Sequence, residues 1–352
     1  MQRSDKSKVR DSNFELLRII SMFMIVILHI GTHGMGKYIN ISNFLTGFNE
    51  VFYYFIRSLS IIAVSLYVLV SGYFLTKSKF KLKKLVSLFM EVSFFSTVIY
   101  LVNVLVGNVD FNVVMFFKSL FSVFTGGYWF VTVYFVMYAL SPFMNKLIDH
   151  MDKKEHGNLI ITGLLVCNIW QFIYPHALVG VSNGYGLVYF LFLYILAAYI
   201  QKYEFLIKDF NRNLYLFMYF FVAFINSLLI YRTGLMDQLY SYNSPLVLIM
   251  AYCLFQYFKK LKIKSPNINF ASKFVFGIYL IHEQSSMRPV IWKKFGIIED
   301  IISTDGNLII FKMIGYCVIV FISCWIVSFV IGTIYNALYK KVSTYMLTFL
   351  KS

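Results

Sequence analysis

Apolar residues along this chain fall in continuous runs of about 16 to 25 residues, and short polar stretches separate the runs. A helix needs about 20 such residues to cross a bilayer, whereas a strand of an outer-membrane barrel shows about ten residues of alternating polarity. The pattern therefore predicts an all-α polytopic membrane protein with about ten transmembrane helices. The predicted spans are residues 14–31, 51–75, 85–106, 128–145, 158–173, 185–201, 214–231, 244–258, 271–287 and 307–338.

Lysine and arginine are unevenly distributed between the connecting segments. With the N-terminus in the cytoplasm, the cytoplasmic segments hold 22 of these residues and the outer segments hold six. Cytoplasmic loops of membrane proteins carry such an excess of positive charge. The asymmetry predicts that both termini are cytoplasmic. It also attributes the net charge of +16 to topology and to contact with anionic lipid, and not to nucleic-acid binding.

Composition agrees with a single membrane domain over residues 1–352. Hydrophobic residues make up 59% of the chain and charged residues 14%, against about 25% charge in soluble domains. The outer segments are too short for a separate domain, although 111–124 and 288–302 favour short interfacial helices. The four cysteines all lie in predicted spans without metal or disulfide spacing, and we expect them to pack as apolar side chains.

The first predicted span contains three ionisable residues: Glu15, Arg18 and His29. Each costs at least ~2.5–3.5 kcal/mol at the bilayer centre on insertion scales. At 100° per residue they fall within about 60° of one another, so they form one stripe, with Arg18 and His29 about 16 Å apart along the axis. Such a stripe should face the interior of the helix bundle or a water-filled cavity.

Glu15 and Arg18 have the spacing of an intrahelical ion pair. His29 has no acid near it in its own helix, so it is either an interhelical hydrogen-bonding residue or a proton acceptor. His33 follows four residues later, but neither cysteine nor carboxylate is spaced beside the two histidines, and no metal is expected. Glu91 is a further acid in a span, and Arg57 or a nearby lysine is its expected partner.

Polar residues also cluster where the second, fourth and ninth predicted spans end or begin. The second ends in Ser71 and Tyr73 and meets five lysines within nine residues, which suits either membrane anchoring or a polyanionic substrate. The fourth begins at Tyr128 and Trp129, a pair typical of a membrane interface. Near the end of the ninth stand side chains that suit either an interfacial collar or sugar recognition. These are Tyr279, His282, Glu283, Arg288 and Trp292.

Taken together and in order, these elements resemble the integral-membrane acyltransferase-3 family. The resemblance rests on "NFELLRIISMFMIVILHI", "SGYFL" before a basic loop, "YWFVTVYFVMYALSP" and "FGIYLIHE". It extends to "GLVYFLFLYILAAYIQKY" and "YNSPLVLIMAYCLFQYFKKLKIK", so it covers nearly the whole chain. The sequence is most similar to the branch that O-acetylates bacterial surface polysaccharides.

The resemblance implies a multi-pass protein of the bacterial cytoplasmic membrane, about ten helices in size. It implies transfer of acetyl from cytoplasmic acetyl-CoA to a hydroxyl of a surface polysaccharide or its lipid-linked precursor. The family's first-helix arginine and histidine fall on Arg18 and His29. Arg18 would bind coenzyme A phosphates and His29 would act as general base, with Glu15 as a second catalytic candidate.

The resemblance also distributes the remaining binding roles. The family's basic motif often contains arginines, but lysines stand at that place here, and they lack the bidentate guanidinium. Donor binding is expected at Lys81, Lys83, Lys84, Ser71 and Tyr73. Acceptor binding is expected at Trp129, Tyr279, His282, Glu283, Arg288 and Trp292.

Two other classes of function compete with this interpretation. A transporter or flippase of a lipid-linked sugar would also need a charged interior stripe, but the two halves of the chain lack the paired broken spans of inverted-repeat transporters. A structural or sensory scaffold would leave the stripe that ends at His29 without a purpose.

Overall fold

A computed structural model of the chain describes residues 11–38, 40–176, 180–206, 208–304 and 308–349. Within those ranges the regular structure is helical and contains no strand, so the predicted all-α class is confirmed. The N-terminal tail and the extreme C-terminus, to which the charge pattern assigned the cytoplasmic side, lie largely outside the described residues.

Fourteen helices organise the described chain, and several continue into shorter turns. The helices are α1 Ser12–His29, α2 Phe48–Ser60, α3 Ala63–Leu75, α4 Leu82–Leu105, α5 Val113–Leu120, α6 Trp129–His150, α7 Lys153–Gly163, α8 Leu187–Tyr203, α9 Arg212–Thr233, α10 Pro245–Lys260, α11 Pro266–Ala271, α12 Val275–His282, α13 Ile297–Ile302 and α14 Leu308–Phe349. Turns of π-helix occupy Ile30–Met35, Leu164–Trp170 and Val290–Lys294, and 3₁₀ turns occupy Ser182–Gly184 and Ser272–Phe274. Single helical turns occupy Gly36–Tyr38, Ile41–Phe44, Gln171–Ile173 and Met236–Leu239.

Each predicted span coincides with one helix or with consecutive helices. Seven helical segments in the described chain are long and apolar enough to cross a membrane, among them the joined pair α2–α3 over Phe48–Leu75. The other three predicted spans correspond to shorter elements: α8 with 17 residues, α10 with 16, and α11–α12. The structure therefore shows a multi-pass helical membrane protein. Its ninth segment ends at His282, and not at residue 287 as the sequence suggested.

Helix α1 lies at the centre of the bundle. It packs against α2, α3, α10, α11, α12 and α14. Of the apolar stretch that begins in α1, 67% of the residues are buried, against 28% for α14. Helix α14 instead exposes many large apolar side chains. Because α1 is enclosed by helices, its polar stripe faces protein and not lipid, as expected for ionisable residues inside a membrane.

A close contact between α12 and α14 fixes the end of α12 beside α1. A Cβ atom at Gly277 would lie 2.0 Å from Ser328 Oγ on α14, so only glycine permits this approach. Ser328 Oγ also donates a hydrogen bond to the Phe274 carbonyl at 2.7 Å. The packing positions the last turn of α12, which carries His282, against the last turn of α1.

Two local sequence signals are confirmed, one in a connecting segment and one inside the helices. The segment 111–124 contains the short helix α5, which begins with an Asn112 side-chain cap on the Met115 N–H at 3.1 Å and exposes apolar side chains. All four cysteines are free and buried in apolar packing, as expected. Glu91 is not paired with Arg57 or with the lysines of 81–84 in the part of the chain that the structure describes, so that expectation is wrong.

Candidate active site

The ends of α1 and α12 bring two histidines and a glutamate into direct contact. His29 Nδ1 lies 2.8 Å from His282 Nε2 and 3.1 Å from Glu283 Oε2. The His282 side chain is fully buried, the Glu283 side chain is 4% exposed and that of His29 is 14% exposed. The sequence separated these residues into a catalytic histidine and a distant sugar collar, whereas the structure makes them one cluster.

The hydrogen-bond network assigns the proton positions of this cluster. His282 Nδ1 donates to the Ile278 carbonyl oxygen at 2.6 Å, because a carbonyl can only accept. In its neutral form His282 therefore presents an unprotonated Nε2 to His29, so His29 Nδ1 must carry the hydrogen between them. The lone pair of the neutral His29 imidazole is then on Nε2, which forms no hydrogen bond to any described residue.

Glu283 is the charged centre of the cluster. Its Oε1 pairs with Arg288, whose Nε also donates to the Glu283 carbonyl oxygen at 3.0 Å, and His33 Nε2 lies 3.3 Å from the same carboxylate oxygen. Its Oε2 is buried and accepts no hydrogen bond within the described chain, although it lies 3.1 Å from His29 Nδ1. The carboxylate is thus placed to stabilise a positive charge on His29.

A narrow aromatic cavity of about 40 Å³ borders His29. Six aromatic side chains form much of its wall: Tyr67, Trp129, Phe130, Tyr242, Phe276 and Tyr279. Trp129 stacks on Tyr242 with ring centroids 5.8 Å apart and contacts Tyr185, which is 47% exposed, at 4.5 Å. These three rings connect the cavity with the protein surface, and we call them the aromatic vestibule.

Arg18 lies at the opposite end of the stripe and pairs with Glu15 at 2.7 Å, as the spacing predicted. Tyr67 joins this end to the cavity, because its hydroxyl donates to the Arg18 carbonyl at 2.8 Å while its ring lines the cavity. Glu15 is paired with Arg18 and lies 14 residues before His29, about 21 Å along the helix. It is therefore outside the histidine cluster, and a catalytic role for Glu15 stays a prediction.

The residues expected to bind the donor lie at the same end as Arg18. Ser71 is next to the Tyr134 hydroxyl, which also lies within electrostatic range of Arg18. Tyr73 packs on Phe14 with ring centroids 5.5 Å apart. The three lysines at the start of α4 are exposed. They are Lys81, Lys83 and Lys84.

The expected acceptor residues separate into two groups in the structure. Trp129 and Tyr279 line the cavity beside His29. Trp292 is only 1% exposed and its indole nitrogen is buried without a hydrogen-bond partner among the described residues. Packing of the 290–301 segment encloses Trp292, so its ring offers no free face to a sugar.

A metal site is the other chemistry that this cluster suggests. Ligand atoms of His29, His33 and Glu283 lie within 4.8 Å of one another, so the absence of a carboxylate beside the histidines, assumed from sequence, is wrong. However, Arg288 already neutralises Glu283 and would repel a cation at this place. The donor and acceptor pattern fits an acid–base cluster better than a metal centre.

Sequence inspection missed the aromatic walls contributed by Tyr67, Tyr185 and Tyr242. Tyr185 and Tyr242 lie in connecting segments, where aromatic residues have no periodic pattern that separates them from other interface residues. The available signal in the sequence was the turn-forming residue next to each tyrosine, Gly184 before Tyr185 and Asn243 after Tyr242. In the structure the two segments meet closely, because a Cβ atom at Gly184 would lie 2.5 Å from Tyr242 Cβ.

Comparison with known proteins connects this geometry to a family. A family model described as an acyltransferase domain matches residues 11–332, which is most of the chain and includes every residue of the histidine cluster. No curated protein and no solved structure showed a significant match.

Proposed function

This chain belongs to the acyltransferase-3 family and is a membrane acyltransferase, and from that premise we propose that it transfers acetyl from cytoplasmic acetyl-CoA to a sugar hydroxyl. The acceptor would be a surface polysaccharide or its lipid-linked precursor, at the cytoplasmic membrane of a bacterium. The observation that carries the proposal is the contact of His29 Nδ1 with His282 and Glu283 beside a cavity inside the bundle. This contact leaves Nε2 of the neutral imidazole free to accept a proton.

His29 supplies the proton transfer that this reaction needs. The acceptor hydroxyl gives its proton to His29 Nε2 as its oxygen attacks the thioester carbonyl. The C–S bond breaks, and the imidazolium returns the proton to the departing thiolate, so the products are an acetate ester and coenzyme A. Between these steps the positive charge on His29 is stabilised by Glu283 Oε2, 3.1 Å from Nδ1.

Donor binding is proposed at the Arg18 end of the stripe. Arg18, Ser71, Tyr73 and the three lysines at the start of α4 would bind the phosphates and the adjoining part of the pantetheine arm. Tyr67 and Tyr134 would line the path from there to His29. Phosphate groups prefer such clusters of positive charge.

Replacing Lys81, Lys83 and Lys84 together by alanine is expected to raise the Michaelis constant for acetyl-CoA several-fold. A charged hydrogen bond contributes roughly 1.5–3 kcal/mol. Because these lysines are exposed, water competes with the phosphates for their hydrogen bonds, and the change in the constant is reduced. Alanine at Lys154, Lys262 and Lys264, which are also exposed, serves as the matched control. An unchanged constant in the first variant, with a normally folded protein, would refute this donor site.

Acceptor binding is proposed at the end of the cavity where the aromatic vestibule lies. Trp129 offers a partly exposed indole for stacking on a sugar ring, and Tyr279, His282, Glu283 and Arg288 shape the floor beneath it. With the donor at the Arg18 end, the acceptor hydroxyl and the thioester would then approach His29 from different directions.

Ten spans with both termini in the cytoplasm are proposed as the topology, supported by the distribution of 22 cytoplasmic and six outer basic residues. Single cysteines placed near Gly180 should then react with an impermeant reagent added from outside, and those near Lys262 should not. Labelling near Lys262 alone would reverse the orientation.

Purified protein supplied with acetyl-radiolabelled acetyl-CoA tests the activity itself. We expect slow thioester hydrolysis alone, and label transfer when a glycan acceptor is added. Movement of a lipid-linked sugar between leaflets without any transfer of label would instead identify a transporter.

A further inference from the structure

Arg57 lies in α2, inside a candidate membrane span, and carries a charge that no described acid neutralises. The nearest acid in its own helix, Glu50, accepts instead from the Tyr54 hydroxyl at 3.0 Å. An ionisable residue in a membrane span is costly, and it usually marks a substrate or ion site with a specific partner.

The contacts of Arg57 hold its guanidinium in place but leave its donors largely unused. The group lies over the Tyr240 ring at 4.7 Å and over the Tyr53 ring at 5.7 Å. Only one hydrogen bond is formed within the described chain, a long one of 3.5 Å to the Tyr53 hydroxyl, and Nε is buried without a partner. A guanidinium has five N–H donors, so a pre-positioned group remains available for a ligand.

The position of Arg57 is next to the end of α1 that carries His29. A Cβ atom at Gly31, two residues after His29, would lie 3.5 Å from Arg57 Nε and 3.0 Å from the Tyr53 hydroxyl. Arg57 is also within electrostatic range of Tyr185 and Tyr242 of the aromatic vestibule, and Glu283 is within range of the same two rings. Arg57 therefore lies close both to the aromatic vestibule and to the end of α1 that carries His29.

We propose that Arg57 binds an oxyanion of the acceptor, either the carboxylate of an acidic sugar or the phosphate that links a sugar to lipid. A planar guanidinium matches both groups bidentately, and its aromatic supports restrict its orientation. The identification of this anion as part of the acceptor rests on the proposed acyl transfer. Binding of an anion at Arg57 does not depend on that transfer. Arg57 would then place the acceptor hydroxyl near His29.

Binding of model anions to the purified full chain tests this site without any acyl donor. We would measure thermal stabilisation in lipid nanodiscs by glucuronate, by inorganic phosphate and by neutral glucose, for the parent and for Arg57→Met. Stabilisation by one of the two anions, weakened by about tenfold to a hundredfold in affinity by Arg57→Met, supports the proposal. Selectivity for glucuronate would indicate an acidic sugar, and selectivity for phosphate a lipid-linked one.

Two further variants make the outcome decisive. Arg232→Met removes an exposed arginine at the end of α9 and should leave anion binding unchanged. If Arg57→Met does not fold, Arg57→Lys keeps the charge but loses the bidentate geometry, so affinity should still fall several-fold. The proposal is overturned if glucose binds as well as the anions, or if Arg57→Lys and, where it folds, Arg57→Met bind the anions with parental affinity. Because no acetyl donor is present, that result leaves the proposed acyl transfer untouched.

Discussion

Replacing His29 by glutamine is expected to lower acetyl transfer by about 10²–10⁴-fold, the usual contribution of a general base. Glutamine keeps the polarity and the approximate size of the side chain, but it cannot accept a proton at neutral pH. Because His29 is remote from Arg18, about 16 Å along the helix, the Michaelis constant for acetyl-CoA should change little. Single-turnover transfer of radiolabelled acetyl at saturating donor measures the chemical step directly.

His150→Gln provides the matched control for this experiment. His150 is an exposed histidine in the last turn of α6, and its Nδ1 bonds only within its own helix, to the Lys146 carbonyl at 2.7 Å. This variant should retain parental activity. A His29→Gln protein with normal expression and nearly full transfer would show that His29 only packs or orients. The base would then have to be sought at His282, Glu91 or Glu15.

Replacing Glu283 by glutamine is also expected to lower the rate of acetyl transfer by about 10²–10⁴-fold. The analogy is the loss of the carboxylate that contacts the catalytic histidine in a serine-histidine-aspartate triad. The carboxylate lies 3.1 Å from His29 Nδ1 and is the only described acid in contact with it. Without its charge, the imidazolium formed during attack loses its stabilisation. The measurement is again the single-turnover rate, with Glu299→Gln on the exposed side of α13 as the control.

A double-mutant cycle separates this role from simple misfolding. If Glu283 acts through His29, the His29→Gln, Glu283→Gln protein should be about as slow as either single variant, because residues that act as a unit are strongly non-additive. Independent effects that multiply in the double variant would contradict the coupled arrangement. The loss of the Arg288 partner adds a stability cost, which thermal unfolding of the single variant would measure.

Local patterns in the sequence were sufficient for the helices and for one ion pair. The runs of apolar residues predicted all seven described segments that are long and apolar enough to cross a membrane, since spanning length and backbone satisfaction are properties of a continuous stretch. The Glu15–Arg18 pair was predicted from its i,i+3 spacing and is present at 2.7 Å. The placement of His29 in a buried stripe was predicted from helical periodicity.

Errors arose wherever a side chain's role depended on a different helix. Trp292 was expected among the residues that bind the acceptor, but packing buries it to 1% exposure. Glu91 was expected to pair with Arg57 or with a lysine of 81–84, but Arg57 lies over the rings of Tyr240 and Tyr53 instead. In both cases the residue type was noticed, and its neighbours were not known.

The sequence by itself determined the helical membrane class of the protein, its candidate membrane-spanning segments, the uneven distribution of charge between connecting segments and the family resemblance. Those properties depend on composition and on spacings of a few residues, which a linear pattern records. Only the tertiary structure decided that His29 meets His282 and Glu283, across 253 residues of chain for the first pair. That contact depends on how α12 packs between α1 and α14, including the close approach at Gly277. No local period encodes which two helix ends meet, because helix packing is fixed by the shapes of surfaces assembled from the whole chain.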